Sequence, residues 1–178
     1  MNKTFKTKTL VTCALLVALQ IVFVRFISLG TGSIRISLGF VPVAVAGMIF
    51  GPLGGGIVAS IADFLGMLLF SKGTVYFFPL TISEFLYGFG FGLFLHNRDL
   101  PPIKLSICVI VQFILVNLIL SSVWLYLYYI IVVGTPKGFE AIFTGRLAAA
   151  AANLPMQIIG INVINKYLKA PLKKLGQQ

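Results

Sequence analysis

The sequence predicts an all-α integral membrane protein: six transmembrane helices with both termini on the cytoplasmic side. Three observations carry that expectation. Of 178 residues, 58% are hydrophobic and 10% charged, against about 25% charged in an ordinary soluble domain. The mean hydropathy is +1.02, too high for a chain that must cover itself with polar surface. The apolar residues also gather in runs approaching the roughly 20 that carry a helix across hydrocarbon about 30 Å thick. Length allows a single six-helix membrane domain over residues 1–178.

The first run, 10–27, follows Lys3, Lys6 and Lys8. A basic stretch before an apolar one resembles a signal peptide, but no small-x-small cleavage site follows, so it reads as an uncleaved first span. The second run, 38–50, is short and ends at Gly51-Pro52; the third, 53–70, opens on Gly54-Gly55-Gly56 and carries Asp63 at its centre. The fourth, 78–95, contains Glu84. The fifth, 103–133, is long enough for a tilted helix with extra turns outside the bilayer. The sixth is 144–164, and the connections between runs are rich in Gly, Pro and charge. No period of repeat length recurs, which excludes a solenoid.

A net charge of +10 in a soluble chain would point to nucleic acid. Here the cations flank apolar runs. With the termini inside, nine positive residues are cytoplasmic and five outside, namely Arg25, Arg35, Lys72, Lys137 and Arg146; the bias favours that orientation. Cys13 and Cys108 both lie within apolar runs and read as small packing residues, not a disulfide or a metal pair.

No catalytic or metal-binding constellation is legible, so an enzyme is not expected and no cofactor is implied. His96 stands alone, and no Gly-Lys-Ser/Thr phosphate loop exists. Gly88, Gly90 and Gly92 lie inside an apolar run and do not form a nucleotide loop. If the protein moves something uphill, the energy comes from another chain.

Ionisable groups at membrane depth cost about 2.5–3.5 kcal/mol on insertion scales and mark bundle interiors or cavities. Asp63, Glu84 and Arg146 qualify, with Arg25 near an outer end. In the sixth run Arg146, Asn153 and Gln157 fall on one helical stripe, interrupted by Pro155. Among the aromatic residues toward the outer side, Phe77 and Trp124 are candidates to stack on a flat ring. Small residues four apart, including Ala14/Ala18, Gly47/Gly51, Gly88/Gly92 and Ala148/Ala152, allow close helix approach.

Several segments together carry a resemblance. They are Ala14 to Ala18, Arg35 to Pro42, Ala46 to Pro52, Ala62 to Gly66 and Tyr76 to Thr81. The chain resembles, over nearly its whole length, the substrate-binding S component of an energy-coupling factor (ECF) vitamin transporter, most closely the folate-specific branch. That resemblance implies a six-helix protein of the prokaryotic cell membrane that binds its vitamin near the outer face. It implies docking, through Ala14 and Ala18, on a membrane coupling subunit carried by two cytoplasmic ATPases, which use the ATP. For folate, Asp63, Asn153 and Gln157 suit the edge of the pterin ring. Arg25, Arg35 and Arg146 suit the two carboxylates of the glutamate tail, and Glu84 is assigned no role. The alternatives are an S component for another vitamin or precursor, such as a pyrimidine or riboflavin, and a free-standing secondary transporter. The last would need inverted repeats or a coupling-ion site, neither of which is evident.

Overall fold

A backbone in lipid has no water to bond, so spanning segments this apolar must satisfy their own N–H and C=O groups, and helices do so within one segment. In the computed structural model, which describes residues 3–28, 37–70, 75–96, 100–134 and 138–168, all regular structure is helical. We label the helices α1 (Lys3–Arg25), α2 (Phe40–Leu69), α3 (Phe78–Leu95), α4 (Pro102–Val133) and α5 (Phe139–Leu168). All five are long and apolar enough to cross a membrane. Their outward faces carry large bare side chains: Leu10 is 71% exposed, Leu53 65% and Ile103 76%. Such faces suit lipid.

The sequence reading separates 38–50 from 53–70, and within the stretch labelled α2 the chain reverses at the same place. Gly51 has φ 76° and ψ −169°, ahead of Pro52. That backbone region is essentially restricted to glycine. In a straight helix Gly47 and Gly55 would lie about 12 Å apart at ~1.5 Å per residue. Instead, a Cβ placed on Gly55 falls 3.0 Å from the Gly47 Cα. The residues on either side of Gly51 are therefore antiparallel arms. His96, at the end of α3, closes the bend by bonding through Nδ1 to the Met48 carbonyl at 3.0 Å.

α3 packs into this hairpin backbone to backbone. A Cβ on Gly47 would meet the Gly92 nitrogen at 2.7 Å, and one on Gly55 the Gly88 carbonyl oxygen at 2.5 Å. The glycine pairs therefore serve packing within the bundle. Ala14 and Ala18 differ: both are exposed on the outer face of α1, while Leu16, Val17 and Gln20 turn inward.

Contacts fix which ends lie together. Phe26 meets Phe70 edge-on at 5.3 Å, Phe77 meets Tyr128 at 5.7 Å, and Tyr126 meets Phe139 at 5.7 Å. These define an Arg25 end of the bundle. At the opposite, His96 end, Asn162 donates to Ser106 at 2.9 Å. Two helix bounds exceed the expected ones: α1 starts at Lys3, seven residues before the apolar run, and α5 covers Phe139–Leu168, not 144–164. Gly138 is the residue that starts α5, accepting from the Ala141 and Ile142 amides; a mainly polar stretch extends α1 at its start, whereas α5 is extended at its start by residues 139–143, interrupted by Glu140.

Candidate functional site

The backbone of α4 is π-helical over Phe113–Leu120. Such widened turns are rare and occur often at functional sites, and here side chains add bonds to the backbone carbonyls along the helix. Side chains take up three consecutive ones. Ser121 Oγ donates to the Val116 carbonyl at 2.9 Å, and Ser122 Oγ donates to that of Leu118. Arg146, from α5, donates to the Asn117 carbonyl through Nε at 3.2 Å and Nη2 at 2.9 Å. That clamp holds the guanidinium in place and leaves its remaining N–H groups for something else.

Beside this clamp is a cavity of about 340 Å³, within the range of roughly 300–1,000 Å³ typical of small-molecule sites. It lies between α1, the start of α2, α3, α4 and α5. Arg146, Asn153 and Gln157 line it from α5, Glu84 and Tyr87 from α3, and Gln20 from α1. Ala149 and Ala150 form part of the same wall, and their small side chains leave room that larger residues would fill. Three buried polar atoms on its walls have no hydrogen-bond partner: Gln20 Oε1, Asn117 Nδ2 and Gln157 Oε1. Gln20 is 5% and Gln157 3% exposed. Buried polar atoms normally find partners, so these mark the places where a ligand would bond.

A smaller cavity of about 70 Å³ adjoins it, sharing Gln20, Val24 and Glu84 and lined also by Arg25 and Asp63. Asp63 is held in a relay: Thr81 Oγ1 donates to its Oδ2 at 2.7 Å and pairs with the Tyr76 hydroxyl at 2.8 Å.

The sequence-derived site residues are thus divided. Arg146, Asn153 and Gln157 share the larger cavity; Arg25 and Asp63 share the smaller one. Asp63 therefore sits with a cation and not beside the two amides it was grouped with. Asn153 is also a structural tie: its Oδ1 accepts from the Ser37 amide at 3.3 Å and its Nδ2 donates to the Ala149 carbonyl at 2.8 Å. Phe77 and Trp124 line neither cavity; Phe77 packs on Tyr128 instead. Arg35 lies outside the described residues. Glu84, Gln20, Asn117, Tyr87 and Phe113 are among the wall residues that the sequence reading leaves out of the site. An amide or carboxylate within an apolar run was the signal for the first three; Tyr87 and Phe113 gave none.

Apolar helices of membrane-spanning length around a partly open cavity that carries buried amides, a carboxylate and a guanidinium define a membrane-embedded small-molecule binding protein. The family described as ECF-type riboflavin transporter, S component, matches residues 4–169. The Folate transporter FolT of Clostridium novyi (strain NT) is 37% identical over 156 residues, covering 88% of this chain and 87% of that protein. The Folate transporter FolT of Leuconostoc mesenteroides is 27% identical over 155 residues, covering 85% and 81%. The crystal structure of FolT bound with folic acid superposes with a TM-score of 0.77 at 31% identity, covering 90% of this chain and 93% of that one. An S component of a bacterial ECF transporter shares the fold at a TM-score of 0.53 and 24% identity, covering 97% of each chain. The chain belongs to the ECF-type S-component family.

Proposed function

We propose that this protein is the folate-capturing S component of an ATP-driven importer in a prokaryotic plasma membrane. It takes folate at the outer face and delivers it through a membrane coupling subunit powered by two cytoplasmic ATPases. The observation that carries the reading is the cavity beside Arg146, with its unpartnered amide atoms, in a chain 37% identical to a folate transporter. Folate brings a flat hydrogen-bonding ring and two carboxylates. Arg146 and Arg25 supply planar donors for the latter, and the buried amides suit the former.

In this reading the whole chain is one membrane domain, and the two arms of α2 count as separate crossings, which makes six. Lys3 and Leu168 then lie on the cytoplasmic side with the His96 end, and the Arg25 end faces outward. Riboflavin is the second reading, favoured by the description of the matching family. It has no carboxylate to place against two arginines, so folate is preferred.

Docking is assigned to the exposed face of α1 at Ala14 and Ala18. Replacing either with Trp adds bulk outside the bundle, where it meets lipid in the isolated subunit and the coupling subunit in the complex. Overpacking a close contact costs about 1–3 kcal/mol. Ala14→Trp and Ala18→Trp should therefore bind folic acid as the unaltered protein does, while ATP-driven uptake by the reconstituted complex falls at least about fivefold. Equal loss of binding and uptake contradicts the docking assignment, and uptake unchanged by either variant does so too.

A further inference from the structure

Glu84 is the one carboxylate among the residues lining the larger cavity, and it also lines the smaller one. Asp63 is partnered by Thr81 and has a place in the fold. Glu84 faces the space a ligand would fill, at membrane depth, where an ionisable group is costly unless it is used. Its neighbours on the wall are mismatched in a way that says what the ligand must bring. Gln20 Oε1 and Gln157 Oε1 are buried acceptors without donors, and Asn117 Nδ2 is a buried donor without an acceptor. A carboxylate adds acceptors and no donor when ionised. The carboxylate and the two bare amide oxygens on these walls suit a ring edge rich in N–H groups.

We propose that Glu84 is the specificity-determining residue of this site, accepting from the adjacent N–H groups of a 2-amino-4-oxo ring. This rests on the folate reading and goes beyond it by naming the residue that recognises the ring. The 2-amino group and the neighbouring ring N–H of a pterin are two donors side by side, which a carboxylate can accept together. In a flavin the corresponding ring edge is oxygen, N–H, oxygen, and both oxygens would face the carboxylate. Desolvated sites built to bond a given N–H reject analogues lacking it strongly, because the buried partner is left bare.

The test uses the full-length protein purified in detergent and labelled folic acid. The label is displaced by a pterin carboxylate or by the matching lumazine carboxylate, which differs in carrying a 2-oxo group in place of the 2-amino group. The unaltered protein should prefer the pterin by about 100-fold. Glu84→Gln should cut that preference to within about fivefold, and Glu84→Asp, which keeps the charge, should hold it above about tenfold. Because the two competitors are compared on one sample, the ratio does not depend on how much of a variant folds. A preference unchanged in Glu84→Gln, or equal affinity of the unaltered protein for both rings, overturns the assignment of Glu84 alone. Failure of the unaltered protein to bind folic acid overturns the folate reading and this inference with it.

Discussion

Arg146→Ala is expected to weaken folic acid binding by about 30- to 4,000-fold, since losing one partner of a desolvated charge pair costs roughly 2–5 kcal/mol. Two losses combine. The ligand carboxylate loses its cation, and the Asn117 carbonyl loses both N–H donors that tie α5 to the widened turn of α4. Arg146→Lys should recover little, because an ammonium on a flexible stem lacks the planar fork that serves the carbonyl and a carboxylate together. The control is Lys104→Ala, an exposed cation near the start of α4, at the end remote from the cavity; it should bind within about twofold of the unaltered protein. Equilibrium titration of the three purified variants checks this. Equal affinities for Arg146→Ala and Lys104→Ala would remove Arg146 from the site.

Gly55→Val and Gly88→Val should each leave little folded protein. The Cβ of residue 55 would press on the Gly88 carbonyl, and that of residue 88 on the Gly55 carbonyl. Both obstacles are backbone, which cannot rotate away as a side chain can. Overpacking costs about 1–3 kcal/mol even where neighbours adjust, and here they are helices clamped between others. Gly138→Ala is the comparison: nothing lies within 4 Å of a Cβ there. Thermal unfolding in detergent, with yield after size exclusion, should place Gly138→Ala with the unaltered protein and both valine variants far below it. A Gly55→Val protein as stable as Gly138→Ala would contradict the packing described for α2 and α3.

Hydropathy made the helices legible because lipid imposes one demand along the whole backbone. The run at 78–95 coincides with α3, and 103–133 misses α4 by one residue. The break at Gly51 is legible as Gly-Pro punctuation, though the positive φ of 76° that turns the chain back on itself there is not. Helix ends are harder to place: α1 begins in a polar stretch where hydropathy carries no information, and at the start of α5 Glu140 interrupts an apolar stretch that continues the helix back to Phe139. In the site, the periodicity of one helix places Arg146, Asn153 and Gln157 on one stripe, and all three line the larger cavity. Grouping across helices is set by packing, which spacing does not encode. Asp63 therefore lines the smaller cavity and the two amides the larger one, and Trp124 and Phe77 line neither. The π-helical stretch of α4, which positions Arg146, has no sequence signature that separates it from ordinary apolar helix.

The central claim is that the cavity beside Arg146 holds folate, and one measurement addresses it directly: parallel titration of the purified, unaltered protein with folic acid and with riboflavin. Saturable binding of one folic acid per chain is expected, weakened at least about 30-fold in Arg146→Ala, with no competition by riboflavin at about a hundredfold excess. Saturable binding of riboflavin with no binding of folic acid would contradict that claim.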